Sequence, residues 1–193
     1  MARRTGASTS FTIFAIVMAG FLILGTLVVF GGSLFAPGPE EPDSPADEAQ
    51  RQIAELETRV AADPDDADSA AVLANIYAND GNYSEAIPLF ERATIDRPDD
   101  GNLRLTFGIA LLRSGNILDA RIQLERALAL LPEHSGPPYY LGQLEELKDE
   151  PDEEAAKRWY EQAIEVDPES VLAGRAREQL EQLDIQTAPS ATP

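Results

Sequence analysis

The chain reads LANIYANDGNYSEAIPLFERATIDRP over residues 73–98 and FGIALLRSGNILDARIQLERALALLP over residues 107–132. The second stretch begins 34 residues after the first, and large, small and turn-forming residues recur at the same places in both. The matching pairs are Leu73 and Phe107, Ala74 and Gly108, Tyr77 and Leu111, Gly81 and Gly115, Ala86 and Ala120, Phe90 and Leu124, Ala93 and Ala127, and Pro98 and Pro132. Self-similarity at a fixed period of this length is typical of architectures built from one repeated supersecondary unit.

Each unit has the features of two helices joined by a tight turn. Gly81 and Gly115 stand where the chain reverses, because glycine accepts a positive φ without a side-chain clash. Pro98 and Pro132 follow the second helix, since proline cannot continue it. Pro88 is predicted in the first turn of its helix, where a missing N–H is tolerated.

Small residues are predicted where the two helices of a unit meet. Ala74, Gly108 and Gly142 of the first helices are expected against Ala86, Ala120 and Ala156 of the second. A third unit keeps Leu141 and Gly142, then carries two extra residues before Ala156, so its period is 36. Glu145 stands in this unit where the other two have Tyr77 and Leu111.

These residues resemble the tetratricopeptide repeat, a helix-turn-helix unit of 34 residues. The resemblance covers about Ile53 to Pro168 and implies an all-α fold, an α-α superhelical solenoid of about three repeats. The family's first-helix Trp is replaced by Ala70, Arg104 and Pro138. The predicted domain spans residues 50–183, with repeats at about 67–100, 101–134 and 135–170, a preceding half-repeat helix and a C-terminal capping helix at 171–183.

The resemblance also implies a groove lined by the first helices, suited to a peptide or a helix of a partner. The side chains expected to face it are Asn75, Asn79, Asn102, Leu105, Ile109, Arg113, Tyr139 and Gln143. Members that bind chaperone C-termini use paired basic side chains, but Ala71, Gly136 and Tyr140 stand at or beside those places here. That particular function is therefore disfavoured.

A transmembrane helix is predicted at residues 11–35, which contain no charged residue. At roughly 1.5 Å per residue this stretch is long enough to cross a hydrocarbon core of about 30 Å. Arg3 and Arg4 precede it, and Glu40, Glu41 and Asp43 follow it, so residues 1–10 are expected in the cytoplasm and the rest outside. The alternative is a cleaved signal peptide, which the length of the apolar stretch disfavours.

Segments rich in proline flank the repeats. Residues 36–49 contain four prolines among acidic and small residues and are predicted to form an extended linker. Residues 184–193 are predicted to be a disordered tail.

The composition excludes several kinds of chemistry and partner. The chain has 15 Lys and Arg against 34 Asp and Glu, a net charge of −19, so nucleic acid is not expected as a partner. There is no cysteine, and the single histidine, His134, falls in a turn between units, so neither a catalytic site, nor a metal site, nor a cofactor is predicted. The acidic runs 63–68 and 149–154 are interpreted as helix caps and solvated loops, although a basic partner is an alternative use of the second.

The sequence therefore predicts a non-catalytic, membrane-anchored scaffold that binds a protein or peptide on the extracytoplasmic, periplasmic side and acts in envelope protein assembly. The anchor and repeats are similar to the corresponding part of bacterial cytochrome c maturation factors, and this resemblance implies an alternative in which the chain holds apocytochrome. A structural homo-oligomer is a further alternative.

Overall fold

The structure is a computed structural model, and it describes residues 45–187. Over this range the chain forms eight α-helices and no strand, which confirms the predicted all-α class. The helices are α1 (Pro45–Ala62), α2 (Ala67–Asn79), α3 (Tyr83–Asp96), α4 (Gly101–Arg113), α5 (Ile117–Leu130), α6 (Gly136–Leu147), α7 (Glu153–Val166) and α8 (Val171–Thr187). From α2 onward each helix packs against the next one in the chain, which gives the hairpins α2–α3, α4–α5 and α6–α7 of the predicted solenoid.

Helix α1 starts earlier than the sequence indicated. It begins at Pro45, so residues 45–49 of the predicted linker are helical. Proline is well suited to a first helical position, and the acidic residues of the first turn favour the positive end of the helix dipole. Ile53, Leu56 and Val60 then pack on the core of the repeats, which explains why the helix forms.

Aspartate residues begin three of the helices. Asp66, Asp100 and Asp152 each accept the backbone N–H of the residue three positions further on, at 3.0, 2.9 and 2.9 Å. Such a cap satisfies one of the free donors at a helix start and contributes about 1 kcal/mol. Gly81 and Gly115 have φ of 79° and 83° in the two turns, as predicted from the repeat.

The core is formed by the residues that recur with the repeat. Phe90 and Phe107 stack with ring centroids 5.4 Å apart. The alanines that recur in the second helices are completely buried: Ala86, Ala93, Ala120, Ala127, Ala156 and Ala163. The pattern of small and large residues therefore predicted the buried faces correctly.

The two helices of a hairpin approach most closely at the glycines. A Cβ added at Gly108 would lie 2.8 Å from the side chain of Leu124, and one added at Gly142 would lie 2.6 Å from the ring of Tyr160. The close approach is as predicted. The nearest atoms, however, belong to large residues of the second helix and not to the alanines that were expected there.

Pro88 lies deeper in its helix than predicted. It is the sixth residue of α3, which begins at Tyr83, and so stands in the second turn. The expectation of a first-turn position was wrong, because the helix starts directly after the Gly81 turn. The carbonyl of Ser84 thereby lacks the helical N–H that another residue at position 88 would donate.

Arg104 replaces the tryptophan of the family and is 7% exposed. Its Nε donates to the carbonyl oxygen of Pro98 at 2.7 Å, and its Nη1 donates to Oε1 of Gln123 at 3.0 Å. A buried guanidinium is tolerated here because neighbouring oxygens accept its hydrogen bonds.

Glu145 is buried, at 4% exposure, where the other units have Tyr77 and Leu111. Its carboxylate forms ion pairs with Arg121 at 2.6 Å and with Lys148 at 2.5 Å. Burial alone raises the pKa of the Glu145 carboxyl, but hydrogen bonds from Lys148 and Arg121 outweigh burial and hold the pKa below its ordinary value.

Helix α8 caps the end of the repeats. Ala173, Ala176 and Leu183 are buried, and the helix continues to Thr187, so residues 184–187 of the predicted tail are helical. The predicted transmembrane helix, the cytoplasmic N-terminus, most of the linker and the last residues of the tail lie outside the described residues. Within residues 45–187, no helix has the length and apolar character needed to cross a membrane.

Candidate functional site

The first helices of successive hairpins share one side of the repeats. Helix α2 contacts α4, α4 contacts α6, and α6 contacts α8, in addition to the contacts between helices adjacent in the chain. We call the surface that α2, α4, α6 and α8 form the first-helix face. Because each side chain on it stands beside those of the next first helix, it places residues far apart in the sequence next to one another.

A pocket of about 220 Å³ lies on this face between α4, α6 and α8. We call it the first-helix pocket. Its lining consists of Ile109, Leu112 and Arg113 of α4, Tyr139, Tyr140, Gln143 and Leu147 of α6, and Arg175 of α8.

The wall that α6 contributes is aromatic and held in place by packing. The rings of Tyr139 and Tyr140 meet edge to face with centroids 5.2 Å apart, and Tyr139 also lies 5.7 Å from the ring of Tyr160. Gln143 donates from Nε2 to the phenol oxygen of Tyr139 at 3.1 Å. Burial raises the pKa of the Tyr139 phenol, although Arg175 opposes this, so the group is neutral at physiological pH.

Two arginines make this pocket basic in an acidic domain. Arg113 and Arg175 come from α4 and α8, and both are exposed. Within residues 45–187, neither guanidinium forms an ion pair. The pocket therefore combines free positive charge with aromatic and aliphatic walls, an arrangement that suits a polar terminus or acidic side chain beside an apolar group.

Four of the eight residues predicted to face the groove come together here: Ile109, Arg113, Tyr139 and Gln143. The other four do not line the pocket. Asn75 is half-buried and donates from Nδ2 to the carbonyl of Ala71 at 2.9 Å. Asn79 and Asn102 are exposed at the end of α2 and the start of α4, whereas Leu105 is 8% exposed and belongs to the core.

Four lining residues were not predicted: Leu112, Tyr140, Leu147 and Arg175. Arg175 had a signal in the sequence, because it stands 36 residues after Tyr139, which is the period of the third unit. The expectation that residues 171–183 only cap the repeats overlooked this match. Leu147, as the last residue of α6, has no such signal.

The residues considered for catalysis or metal binding have local structural roles. His134 is exposed, and its Nδ1 accepts the backbone N–H of Gly136 at 2.9 Å. The hydroxyl of the adjacent Ser135 pairs with that of Ser170 at 2.8 Å. Among the described residues, no group of three or more His, Asp or Glu side chains is placed to hold a metal ion.

The fold and this face define an α-helical repeat protein with a surface for another polypeptide. Three family models of the tetratricopeptide repeat match the chain, at residues 46–101, 77–144 and 139–170, and together they extend over most of it. The chain belongs to the tetratricopeptide repeat family. No curated protein sequence matches it significantly.

Solved structures with the same fold include two forms of MamA and one domain of RPAP3. MamA from Desulfovibrio magneticus RS-1 is 20% identical with a TM-score of 0.61, covering 69% of this chain and 73% of that one. MamA AMB-1 is 26% identical with a TM-score of 0.59, covering 65% and 73%. The first repeat domain of Spaghetti (RPAP3), bound to the HSP90 peptide SRMEEVD, is 22% identical with a TM-score of 0.56, covering 66% and 97%.

Proposed function

We propose that this chain is a non-catalytic, membrane-anchored scaffold that binds a polypeptide partner through the first-helix pocket. The observation that carries the proposal is the convergence of Arg113 and Arg175, which form no ion pair within residues 45–187, on a pocket with aromatic and aliphatic walls. Proteins of this family are typically scaffolds for protein interactions, and one structural neighbour holds a peptide.

The lining suits a segment with an apolar side chain next to a carboxylate. Ile109, Leu112 and Leu147 offer apolar contact, while the guanidinium groups of Arg113 and Arg175 offer planar hydrogen-bond donors. These arginines stand at other positions than the paired bases of chaperone-binding members. The proposed ligand is therefore inferred from the lining of this pocket and not from the ligands of those proteins.

A photo-crosslinking experiment tests this assignment. A benzoylphenylalanine introduced at Tyr140 of the full chain is expected to capture a discrete polypeptide in cells, and the double variant Arg113→Ala with Arg175→Ala should reduce that capture about tenfold, because charge-assisted hydrogen bonds are lost. The same crosslinker at Glu161, exposed on α7, serves as the matched control. Equal capture from both positions, or capture that the double variant leaves unchanged, would contradict the proposal.

We also propose that residues 11–35 anchor the chain and that the repeats lie on the extracytoplasmic side. Support comes from the 25 uncharged residues of this stretch, the two arginines before it and the acidic residues after it. Membrane fractionation should recover the full chain with the bilayer. Protease added from the outer side of intact inner-membrane preparations should degrade the repeats, and protection from that protease would reverse the assignment.

The cellular role that we propose is assembly of envelope proteins. The identity of the crosslinked polypeptide distinguishes between two versions of this role. Apocytochrome would indicate cytochrome c maturation, and secretion or outer-envelope components would indicate another assembly process. Light scattering of the full chain over a concentration series tests the structural homo-oligomer, because only that form predicts a mass that rises in multiples of the chain.

A further inference from the structure

A second, larger cleft lies at the edge formed by the interhelical loops and adjoins the first-helix pocket, with which it shares Leu147. It has a volume of about 820 Å³, and we call it the loop-edge cleft. One wall is the turn from α4 into α5, and the other is the end of α6 with the loop that follows it. The lining residues are Gly115, Asn116, Ile117, Leu118, Asp119, Leu147, Lys148, Asp149 and Glu150.

Large aliphatic side chains face solvent in this cleft. Leu118 is 80% exposed and Leu147 is 60% exposed, and the half-buried Ile117 lies beside them. Single exposed leucines are ordinary on protein surfaces, but two that line the same concave space form a site for an apolar partner.

The rim of the cleft is acidic. Asp119, Asp149 and Glu150 belong to the lining, and within residues 45–187 none of the three forms an ion pair. A smaller adjoining pocket extends the acidic surface over residues 151–154, from this loop to the first turn of α7. This loop contains the two-residue expansion of the third unit, which the repeat itself does not require.

The nearby cations do not neutralise the rim, because their charge is already matched. Lys148 lines the cleft, but its ammonium group pairs with the buried Glu145 at 2.5 Å. Arg121 on α5 pairs with the same carboxylate at 2.6 Å and with Glu125 at 3.7 Å, so the two cations face two carboxylates. The domain as a whole adds to the negative potential, since residues 45–187 contain 13 Lys and Arg against 31 Asp and Glu.

This combination selects one kind of occupant. Phosphate backbones and anionic lipid headgroups are repelled by such a surface. A polypeptide segment with aliphatic side chains between lysines or arginines would bury Leu118 and Leu147 and pair with the acidic rim. We propose that the loop-edge cleft binds a basic, aliphatic polypeptide segment.

Fluorescence anisotropy with defined peptides tests the proposal on the full chain. The probe is a labelled synthetic peptide of alternating lysine and leucine, compared with one peptide in which serine replaces leucine and another in which glutamate replaces lysine. We expect binding of the first, roughly tenfold weaker binding of the serine peptide and loss of binding by the glutamate peptide. Equal binding of the serine peptide would overturn the proposal, because it would show attraction by charge alone.

Variants then test whether the peptide binds in the loop-edge cleft. Leu118→Ser, and separately Asp149→Asn with Glu150→Gln, should each weaken binding roughly tenfold while circular dichroism shows an unchanged helix content. The matched controls are Val171→Ser, an equally exposed aliphatic residue on α8, and Glu161→Gln with Glu165→Gln, which removes two charges from α7.

The controls should bind the probe as the unmodified chain does. Losses as large as those of the cleft variants would overturn the proposal, since they would show binding by the net charge of the domain. Arg113→Ala with Arg175→Ala is expected to leave probe binding unchanged, so failure of the first-helix proposal and failure of this one give different results.

Discussion

Three glycines inside helices differ in what surrounds them. Gly142 lies against the ring of Tyr160, which is completely buried, and Gly108 lies against the equally buried Leu124. Gly174 on α8 has nothing within 4 Å of an added Cβ. Gly142 and Gly108 are therefore required by packing, whereas Gly174 only lowers the helix propensity of α8.

Gly142→Ala and Gly174→Ala are predicted to shift stability in opposite directions. The first forces the α6 backbone away from Tyr160 and should lower the free energy of unfolding by about 1–3 kcal/mol. The second should raise it by about 0.4–1 kcal/mol through helix propensity and reduced freedom of the unfolded chain. Urea unfolding of the full chain measures both, and a stabilised Gly142→Ala would contradict the close approach of α6 and α7.

Glu145 links α5, α6 and the loop after α6 through one carboxylate. Arg121 is on α5 and Lys148 follows α6, so both cations depend on the ionised form of the same side chain. A carboxyl whose pKa is lower in the folded state stabilises the fold above its unfolded pKa, near 4.5, and this contribution is lost as the pH falls through the folded pKa.

Glu145→Gln is predicted to destabilise the fold by about 1–3 kcal/mol at neutral pH, because charge-assisted hydrogen bonds are lost. The difference in unfolding free energy between this variant and the unmodified chain should shrink as the pH is lowered below about 4.5. Denaturant unfolding at several pH values checks this. Glu161→Gln, at an exposed position on α7, should change the unfolding free energy little at neutral pH. A difference for Glu145→Gln that does not change with pH would argue against the ion pairs.

At the scale of the helix, α3 and α5 are equivalent second helices that differ at one position. Pro88 of α3 stands in the second turn, and the residue 34 positions later is Ile122. Proline there removes a donor to the carbonyl of Ser84, which no other residue type would do. Helix α3 is therefore expected to be the less stable of the two.

Pro88→Ala is predicted to stabilise the chain by about 1–3 kcal/mol, since it restores the hydrogen bond at some cost in unfolded-state entropy. Ile122→Pro should destabilise it by a similar amount or more. Thermal unfolding followed by circular dichroism compares the pair, with Ile122→Ala as the control for loss of the side chain. An unchanged Tm for Pro88→Ala would show that α3 has adapted to the proline.

The repeat predicted most of the elements and about half of the pocket. Ala86 and Phe90 were predicted to be buried because their spacing recurs. Arg113 and Tyr139 were predicted to face the groove because the first helices of the family line it. The register could not predict Leu147, whose place depends on where α6 ends. The start of α1 at Pro45 could not be predicted from the sequence, because proline and acidic residues are common both in linkers and in the first turn of a helix.

At the scale of the whole domain, helices contact chiefly their neighbours along the chain, so the end helices protect the core between them. Helix α8 covers the end of the stack with Ala173, Ala176 and Leu183, and it supplies Arg175 to the first-helix pocket. Helix α8 therefore both caps the stack and forms part of the binding surface.

Truncation after residue 170 is predicted to expose the apolar surface of α6 and α7. We expect a lower Tm, binding of a hydrophobic dye and a smaller dependence of stability on urea, because less surface is buried in the folded state. Leu183→Ala is the milder test and should cost about 2–4 kcal/mol while keeping Arg175 in place. A truncated chain as stable as the full chain would show that α8 is not a cap.

The order of packing along the chain also has a mechanical consequence. If one end is held at a surface and a bound partner pulls on the other, the hairpins are loaded in series and would peel away one after another. Each 34-residue hairpin would release about 110–120 Å of extended chain. Under tension the array would then lengthen in discrete steps, and separation of α4, α6 and α8 would take the first-helix pocket apart and release the partner.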